Sequence, residues 1–158
     1  MNDLNLNEAN KLYNEPMHTC EHILNQTMVR MFGCERSVNA HIEKRKSKCD
    51  YLLTELPSDQ QIAEITSKVN EIIDSHLSVY EEIMSREKAS ELVDLSKLPA
   101  HSSNILRLIH IGNYDTCACI GKHVKNTSEI GRFEIISHNM ENGKWRVRFK
   151  LVSPSLKC

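Results

Sequence analysis

The chain has 158 residues, of which 40% are hydrophobic and 26% charged, with a net charge of −1. This composition fits one ordinary globular domain and excludes a chain that is disordered as a whole. The near-neutral charge argues against nonspecific nucleic-acid binding, so any RNA contact must come from a local basic patch. Because no apolar stretch could cross a bilayer and the N-terminus is too polar for a secretory signal, we expect a cytoplasmic protein with reduced cysteines.

The N-terminal part of the chain is predicted to contain helices and a hairpin. A short helix is expected within residues 1–15 and a longer one over 17–32, where apolar residues recur at helical spacing before Gly33. Two strands are predicted over 37–42 and 49–56, with a hydrophilic hairpin connection between them.

The middle of the chain continues with a second helix. Ser58 and Gln61 have the spacing of a capping box, and the apolar stripe that follows has helical period. A strand over 78–84 and a short helix over 86–93 come next, and a loop is expected over 95–103.

The last third of the chain is predicted to be mostly extended. Strands are expected over 105–111, 132–137 and 144–152, and residues 112–121 form a turn-rich segment. Asn142-Gly143 is a strong hairpin signal because both residues tolerate positive φ. The pattern predicts one α+β domain with a mostly antiparallel sheet and packed helices.

Two pairs of residues point to a metal ion. His18 and His22 are four residues apart in the first long helix, so both imidazoles project from one face. Cys119 and His123 repeat this step in the turn-rich segment, where Gly121 would let the backbone fold tightly around an ion. Three imidazoles and one thiolate are a natural tetrahedral ligand set for Zn2+.

Each half of this set has a simpler interpretation when taken alone. An isolated histidine pair is more often solvated or caps a core, and a loop cysteine can precede a surface histidine by chance. Two such pairs in one short chain are much less expected by chance. Cys117 is a rival ligand, and we favour Cys119 because it keeps the four-residue step to His123.

Two segments resemble a known editing domain. Residues 18–24, His-Thr-Cys-Glu-His-Ile-Leu, are similar to the His-Thr-Ala-x-His-Leu-Leu element shared by the editing domains of alanyl- and threonyl-tRNA synthetases. Residues 119–124, Cys-Ile-Gly-Lys-His-Val, resemble the second element, Cys-Gly-Gly-Thr-His-Val. Residues 126–133 continue with the pattern Asn-Thr-x-Glu-Ile-Gly-x-Phe. The chain therefore resembles the free-standing AlaX-type proteins from about residue 17 to its end.

This resemblance implies a fold and an activity. It implies a single AlaX-like editing domain over residues 1–158, with no room for an aminoacylation domain. The implied activity is zinc-dependent trans-editing, in which the ester of mischarged tRNA(Ala) is hydrolysed at the acceptor end. Ser-tRNA(Ala) is the expected substrate, with Gly-tRNA(Ala) as a second one.

Three residues are candidates for the substrate pocket. Glu21 stands where synthetase editing domains often carry Thr, so it binds the substrate ammonium or hydroxyl, or else supports a ligand histidine. His41 lies near a position where the family has a histidine, and the alternative is a strand histidine on a solvated face. Gly121 belongs to the metal loop, in which Ile120 and Lys122 replace the family's Gly and Thr.

The basic residues of the last predicted strand are candidate tRNA contacts. Strict alternation puts Arg146 and Arg148 on the face opposite Trp145, where they could reach acceptor-stem phosphates. A solvated outer face of the sheet is the simpler interpretation. Two alternatives to the editing enzyme stay open: a non-catalytic, zinc-stabilised RNA-binding module, and a deacylase for another aminoacyl-tRNA.

Overall fold

The computed structural model describes residues 14–96 and 104–152 of the chain. The short helix expected within residues 1–15 and most of the loop expected over 95–103 lie outside the described residues. Within the described ranges, no helix is both long and apolar enough to cross a membrane.

The first helix, α1 (Glu15–Phe32), has well-defined ends. The Asn14 side chain accepts a hydrogen bond from the Met17 amide at 3.1 Å and caps the start of the helix. Gly33 ends the helix in the left-handed conformation, with φ of +67°, as its place after the apolar pattern predicted. The helix is buried along most of its length, including the turn that carries His18 and His22.

The second helix, α2 (Asp59–Asp74), starts with the predicted capping box. The Gln61 amide donates to Ser58 Oγ at 3.1 Å, and the Ser58 amide donates to Gln61 Oε1 at 2.9 Å. A one-turn helix, α3, covers Arg86–Ala89 and is shorter than the predicted 86–93. The helices α1 and α2 pack against each other, and α2 also packs on a strand of the larger sheet.

The described residues also contain seven strands: β1 (Asn39–His41), β2 (Ser47–Leu52), β3 (Val79–Ser85), β4 (Ile105–Ile111), β5 (Asp115–Ala118), β6 (Arg132–Glu141) and β7 (Lys144–Val152). They form a four-stranded sheet in the order β1-β2-β7-β6 and a three-stranded sheet in the order β3-β4-β5. All pairings are antiparallel. The predicted α+β fold with antiparallel strands and packed helices is confirmed, with the strands divided between two sheets.

The strand boundaries differ from the predicted ones in identifiable places. The four-residue strand β5 lies inside the segment predicted to be turn-rich, because its few residues give no readable alternation. The strand β6 runs on to Glu141, with an irregularity between Ile135 and Ser137 that shifts its register. The predicted β6–β7 turn is confirmed, with φ of +53° at Asn142 and +78° at Gly143.

The main core lies on the inner face of the four-stranded sheet and contains its largest aromatic side chains. Trp145, Phe149, Phe133 and Tyr51 are fully buried there with the apolar residues of α1 and α2. Truncating a buried Trp or Phe to Ala typically costs about 3–5 kcal/mol, so these side chains dominate the stability of the sheet. The helix α1 also packs against β5. This contact brings the turn with His18 and His22 to the loop that follows β5.

Candidate metal centre

The structure brings the four predicted metal ligands into one cluster. His18, His22, Cys119 and His123 each offer a donor atom, and these atoms lie within 4.8 Å of one another. Cys119 Sγ lies 3.6 Å from His18 Nε2 and 3.5 Å from His123 Nε2. The rings of His18 and His123 are stacked, with centroids 4.2 Å apart. Two donors come from one helix face and two from a loop more than 90 residues away.

The protein fixes which nitrogen of His18 faces the cluster. His18 Nδ1 lies 3.0 Å from the carbonyl oxygen of Lys122. A carbonyl oxygen only accepts, so Nδ1 carries a proton and Nε2 is the ring nitrogen that faces Cys119. His18 Nε2 is therefore the atom available to a cation, as in metal sites where the second ring nitrogen is held by a backbone carbonyl.

Thr19 orients His123 in the same manner. Its Oγ1 lies 2.9 Å from His123 Nδ1 and accepts a hydrogen bond from the Val124 amide at 3.2 Å. The Thr19 side chain is fully buried, so this contact ties helix α1 to the metal loop. It also leaves His123 Nε2 free to face Cys119. Sequence reasoning missed this role, although Thr19 belongs to the resembling segment.

Asp115 supports the third histidine. Its Oδ2 lies 3.7 Å from His22 Nδ1, a buried atom that has no hydrogen-bond partner within the described residues. The carboxylate is itself held by Arg36 Nη1 at 2.8 Å and by Gln26 Nε2 at 2.9 Å. A carboxylate behind a ligand histidine is a common arrangement in metal sites. Sequence reasoning missed Asp115 because it follows a turn, and only the fold places it beside His22.

The pKa values of this pair follow from their burial and contact. Burial raises the pKa of Asp115, but the contacts with His22 and Arg36 outweigh it and lower the pKa to about 2. Burial lowers the pKa of His22, yet Asp115 and Cys119 together hold it well above its usual value. Asp115 is therefore a carboxylate at neutral pH and favours positive charge at His22.

The electrostatic environment makes Cys119 a thiolate. Burial raises the pKa of the Cys119 thiol, but its contacts with His123, His18 and His22 lower the pKa to about 3. Burial, with the charges of the other two histidines, lowers the pKa of His123 to about 4 despite the hydrogen bond with Cys119. Thiolate sulfur and neutral imidazole are the donors that zinc prefers. One thiolate and three imidazoles therefore fit Zn2+, whose binding would displace the proton that Asp115 favours on His22.

The metal loop is held from both sides. A Cβ atom at Gly121 would lie 2.4 Å from His18 Cε1, so only glycine fits against that ring. On the other side, Arg107 Nη1 donates to the carbonyl oxygens of Cys119 at 3.0 Å and Gly121 at 2.8 Å. Glu81 accepts from Arg107 Nε at 2.5 Å. Sequence reasoning missed Arg107, whose role appears only when β4 and the loop come together.

Glu21 lies at the edge of the cluster. Its Oε1 is 3.9 Å from His18 Nε2, and its Oε2 accepts a hydrogen bond from Asn25 Nδ2 at 3.2 Å. Asn25 Oδ1 accepts in turn from the buried Tyr51 hydroxyl at 2.6 Å. A chain of hydrogen bonds from the core thus holds the Glu21 carboxylate beside His18. The placement is compatible with both roles that the sequence left open for it.

Two other candidates lie apart from the four ligands. His41 is in β1, its side chain is 62% exposed, and it bonds Glu43 Oε2 at 2.5 Å. This favours the solvated-face interpretation of His41. Cys117 Sγ contacts the Ala118 carbonyl oxygen at 3.6 Å, and burial raises the pKa of its thiol. Cys117 is not in the ligand cluster, which favours Cys119 over its rival.

The two candidate tRNA-contacting arginines have different surroundings. Arg146 makes a bidentate ion pair with Asp50, with Nε to Oδ1 at 2.8 Å and Nη2 to Oδ2 at 2.9 Å. The hydrogen bond from Arg146 is the main cause of the lowered pKa of Asp50. Arg148 donates to the Ser137 hydroxyl at 3.2 Å. The charge of Arg146 is thus offset by Asp50, whereas no carboxylate among the described residues pairs with Arg148.

Comparison with known proteins identifies relatives of this chain. The family described as "Threonyl and Alanyl tRNA synthetase second additional domain" matches residues 106–148, which include Cys119, Gly121 and His123. The alanine–tRNA ligase of Caldicellulosiruptor saccharolyticus is 32% identical over 123 residues, 77% of this chain. The alanine–tRNA ligase of Streptococcus agalactiae is 28% identical over 134 residues, 84% of this chain.

The matched region is a small part of each relative. The chain spans 14% of the length of the Caldicellulosiruptor ligase and 15% of the Streptococcus ligase. The alanine–tRNA ligase of Fervidobacterium nodosum, 28% identical over 77% of this chain, is likewise matched over 14% of its length. The match is therefore to one domain of these ligases, and the chain belongs to the family of the threonyl and alanyl tRNA synthetase second additional domain.

Proposed function

We propose that this chain is a zinc-dependent aminoacyl-tRNA deacylase that acts in trans, in the cytoplasm, on mischarged tRNA(Ala). Ser-tRNA(Ala) is the main substrate and Gly-tRNA(Ala) the second. The observation that carries the proposal is the cluster of three imidazoles and one thiolate within 4.8 Å, in a domain matched by alanine–tRNA ligases. The ester of an aminoacyl-tRNA is activated, so the protein has to position the substrate and support an oxyanion.

The four ligand residues would hold the ion, and other residues of the chain would prepare them. Bound zinc would supply a Lewis acid that holds the substrate α-amine or polarises the ester carbonyl. Lys122 and Thr19 fix the ring nitrogens that His18 and His123 present to the cluster. Asp115 stands behind His22. These contacts keep the ligand geometry in place before a substrate arrives.

Glu21 is the residue that we assign to the choice of amino acid. Serine carries a hydroxyl that alanine lacks, and the Glu21 carboxylate lies beside the cluster as an acceptor. A site built to bond a substrate hydroxyl discriminates strongly against the analogue without it, because its polar group is then left unpaired. The fixed position of Glu21, held through Asn25, supports this role.

The direct test is the rate of deacylation of Ser-tRNA(Ala) and Ala-tRNA(Ala) by the zinc-loaded protein and by a chelated sample. We expect metal-dependent release of serine that is at least about 100-fold faster than release of alanine. His22→Ala should abolish the reaction with its circular dichroism retained, whereas His76→Ala, at an exposed position, should leave it unchanged.

Two outcomes would overturn the proposal. A zinc-bound, folded protein that hydrolyses neither substrate but binds tRNA would be a zinc-stabilised RNA-binding module. Hydrolysis of another aminoacyl-tRNA in preference to Ser-tRNA(Ala) would keep the reaction and replace the substrate. In the variant Glu21→Gln, we expect the preference for serine to fall more than the zinc affinity, which separates substrate selection from metal support.

A further inference from the structure

Three of the four side chains in one row on the outer face of the four-stranded sheet are basic, and the fourth is Ser137 in β6. His41 in β1 stands opposite Lys48 in β2, and Lys48 stands opposite Arg148 in β7. All three lie on the face away from the core, because their strand neighbours Cys49 and Val147 are fully buried. With strands about 4.8 Å apart, the row spans roughly 10 Å. We call His41, Lys48 and Arg148 the basic row.

Two other cations on the same sheet face have acidic partners. Arg146 pairs with Asp50 through two hydrogen bonds of 2.8 and 2.9 Å. Lys150 Nζ lies 3.8 Å from Glu134 Oε1. Opposite charges across strands stabilise a sheet, and these pairs follow that rule. The basic row departs from it.

Most of the charge in the basic row has no counter-charge. Among the described residues, Arg148 donates only to the Ser137 hydroxyl, and Lys48 has no carboxylate partner. Glu43 offsets only His41, at the end of the row. Like charges directly opposite one another destabilise a sheet. The arrangement therefore does not serve the stability of the isolated domain and points to an anionic partner.

The hairpin loop next to the row adds to its charge. Lys44, Arg45 and Lys46 are all exposed between β1 and β2. With Lys48 and Arg148, these loop residues make five cations on one part of the surface. The whole chain has a net charge of −1, so this is a local concentration of positive charge. A positive patch of this kind attracts phosphates at short range and is screened by salt.

We propose that the basic row and the Lys44–Lys46 loop bind the phosphodiester backbone of an RNA duplex, the stem of the tRNA. The identity of the RNA rests on the proposed function. We choose RNA as the partner because its phosphates are negatively charged and this surface is positively charged. Because no Phe, Tyr or Trp of the described residues is exposed on this face, the surface suits contact with phosphates more than stacking of unpaired bases. The surface supplies affinity and positioning, not sequence recognition.

The test uses deacylated tRNA(Ala), so that binding is measured without hydrolysis. The Kd of the zinc-loaded protein is determined at several salt concentrations by fluorescence anisotropy, for the wild type and for Lys48→Gln/Arg148→Gln. We expect the double variant to bind about tenfold more weakly at low salt, with a slope of log Kd against log salt that is smaller by about 1.5. Its unfolding midpoint should equal or exceed that of the wild type, because a repulsion has been removed.

Lys68→Gln/Lys88→Gln is the matched control, since it removes two cations from helices α2 and α3. The control should bind like the wild type. The inference would be wrong if the wild type and Lys48→Gln/Arg148→Gln bound tRNA with equal affinity and equal salt slope. It would also be wrong if the wild type bound anionic phospholipid vesicles but not tRNA. If RNA binding depends on the row but no aminoacyl-tRNA is hydrolysed, the inference stands and the proposed deacylase activity fails.

Discussion

Gly121 and His18 are in direct contact, and a Cβ atom at position 121 would lie 2.4 Å from Cε1 of the His18 ring. Real Cβ atoms do not approach other carbons so closely, so any side chain at position 121 must displace the ring or the loop. The same ring is held by the hydrogen bond between its Nδ1 and the Lys122 carbonyl oxygen. The geometry of the metal centre therefore depends on the absence of a side chain at position 121.

Gly121→Ala should weaken zinc binding without unfolding the protein. Overpacking of a well-packed site typically costs about 1–3 kcal/mol. If most of that cost falls on His18, the zinc Kd should rise by about 5- to 150-fold. Competition with a chromogenic chelator measures this Kd directly. Gly33→Ala is the control, because it puts a side chain on a residue with positive φ at the end of α1, away from the metal loop. The strain should cost about 1 kcal/mol of stability. The zinc Kd of this variant should stay within twofold of the wild-type value.

Asp115→Asn should weaken zinc binding by about 10- to 100-fold, the range typical of lost support behind a ligand histidine. The amide cannot supply the negative charge that favours His22 as a donor. Gln26→Ala removes one hydrogen bond to Asp115 but keeps the carboxylate, so its effect on the zinc Kd should be much smaller. Equal Kd values for Asp115→Asn and the wild type would show that Asp115 only pairs with Arg36.

Replacing the two neighbouring cysteines separately should identify the sulfur ligand. With cobalt in place of zinc, the wild type and Cys117→Ser should both show a thiolate-to-cobalt charge-transfer band, because Cys119 Sγ faces the histidines. Cys119→Ser should lose the band. A band that survives in Cys119→Ser and disappears in Cys117→Ser would reverse the assignment.

Local signals in the sequence account for much of this structure. The four-residue steps from His18 to His22 and from Cys119 to His123 predicted the four residues that the structure brings into one cluster, because each step is a local property of the chain. The capping box of α2 and the Asn142-Gly143 turn were predicted for the same reason. Glycine at position 121 was predicted to allow a tight loop, and the structure adds the contact with His18 that requires it.

The unpredicted contacts all join distant parts of the chain. Asp115 reaches His22 across 93 positions, and Thr19 reaches His123 across 104. The ion pair of Arg146 with Asp50 likewise depends on the pairing of β7 with β2. Periodicity reports which residues share a face of one element, but it does not report which elements become neighbours. For the same reason, the division of the strands into two sheets could not be predicted from the sequence.

The Asp50–Arg146 pair predicts a dependence of stability on pH. The hydrogen bond from Arg146 is the main reason that the pKa of Asp50 is lowered in the folded protein. The ion pair therefore stabilises the folded state above the unfolded pKa of Asp50, about 3.9, and this stabilisation is lost as the pH falls through the folded pKa. Urea unfolding of chelated samples should show the wild type more stable than Asp50→Asn at pH 7. This difference should shrink below about pH 4. Glu134→Gln, which alters a largely exposed pair, should show a smaller difference at pH 7.

X-ray absorption at the zinc edge of the loaded protein would identify the atoms bound to the ion. His18, His22, Cys119 and His123 predict one zinc ion per chain with three nitrogen neighbours at about 2.0–2.1 Å and one sulfur at about 2.3 Å. The sulfur contribution should vanish in Cys119→Ser. A first shell with two sulfurs, or one made only of oxygen and nitrogen in the wild type, would contradict the proposed centre.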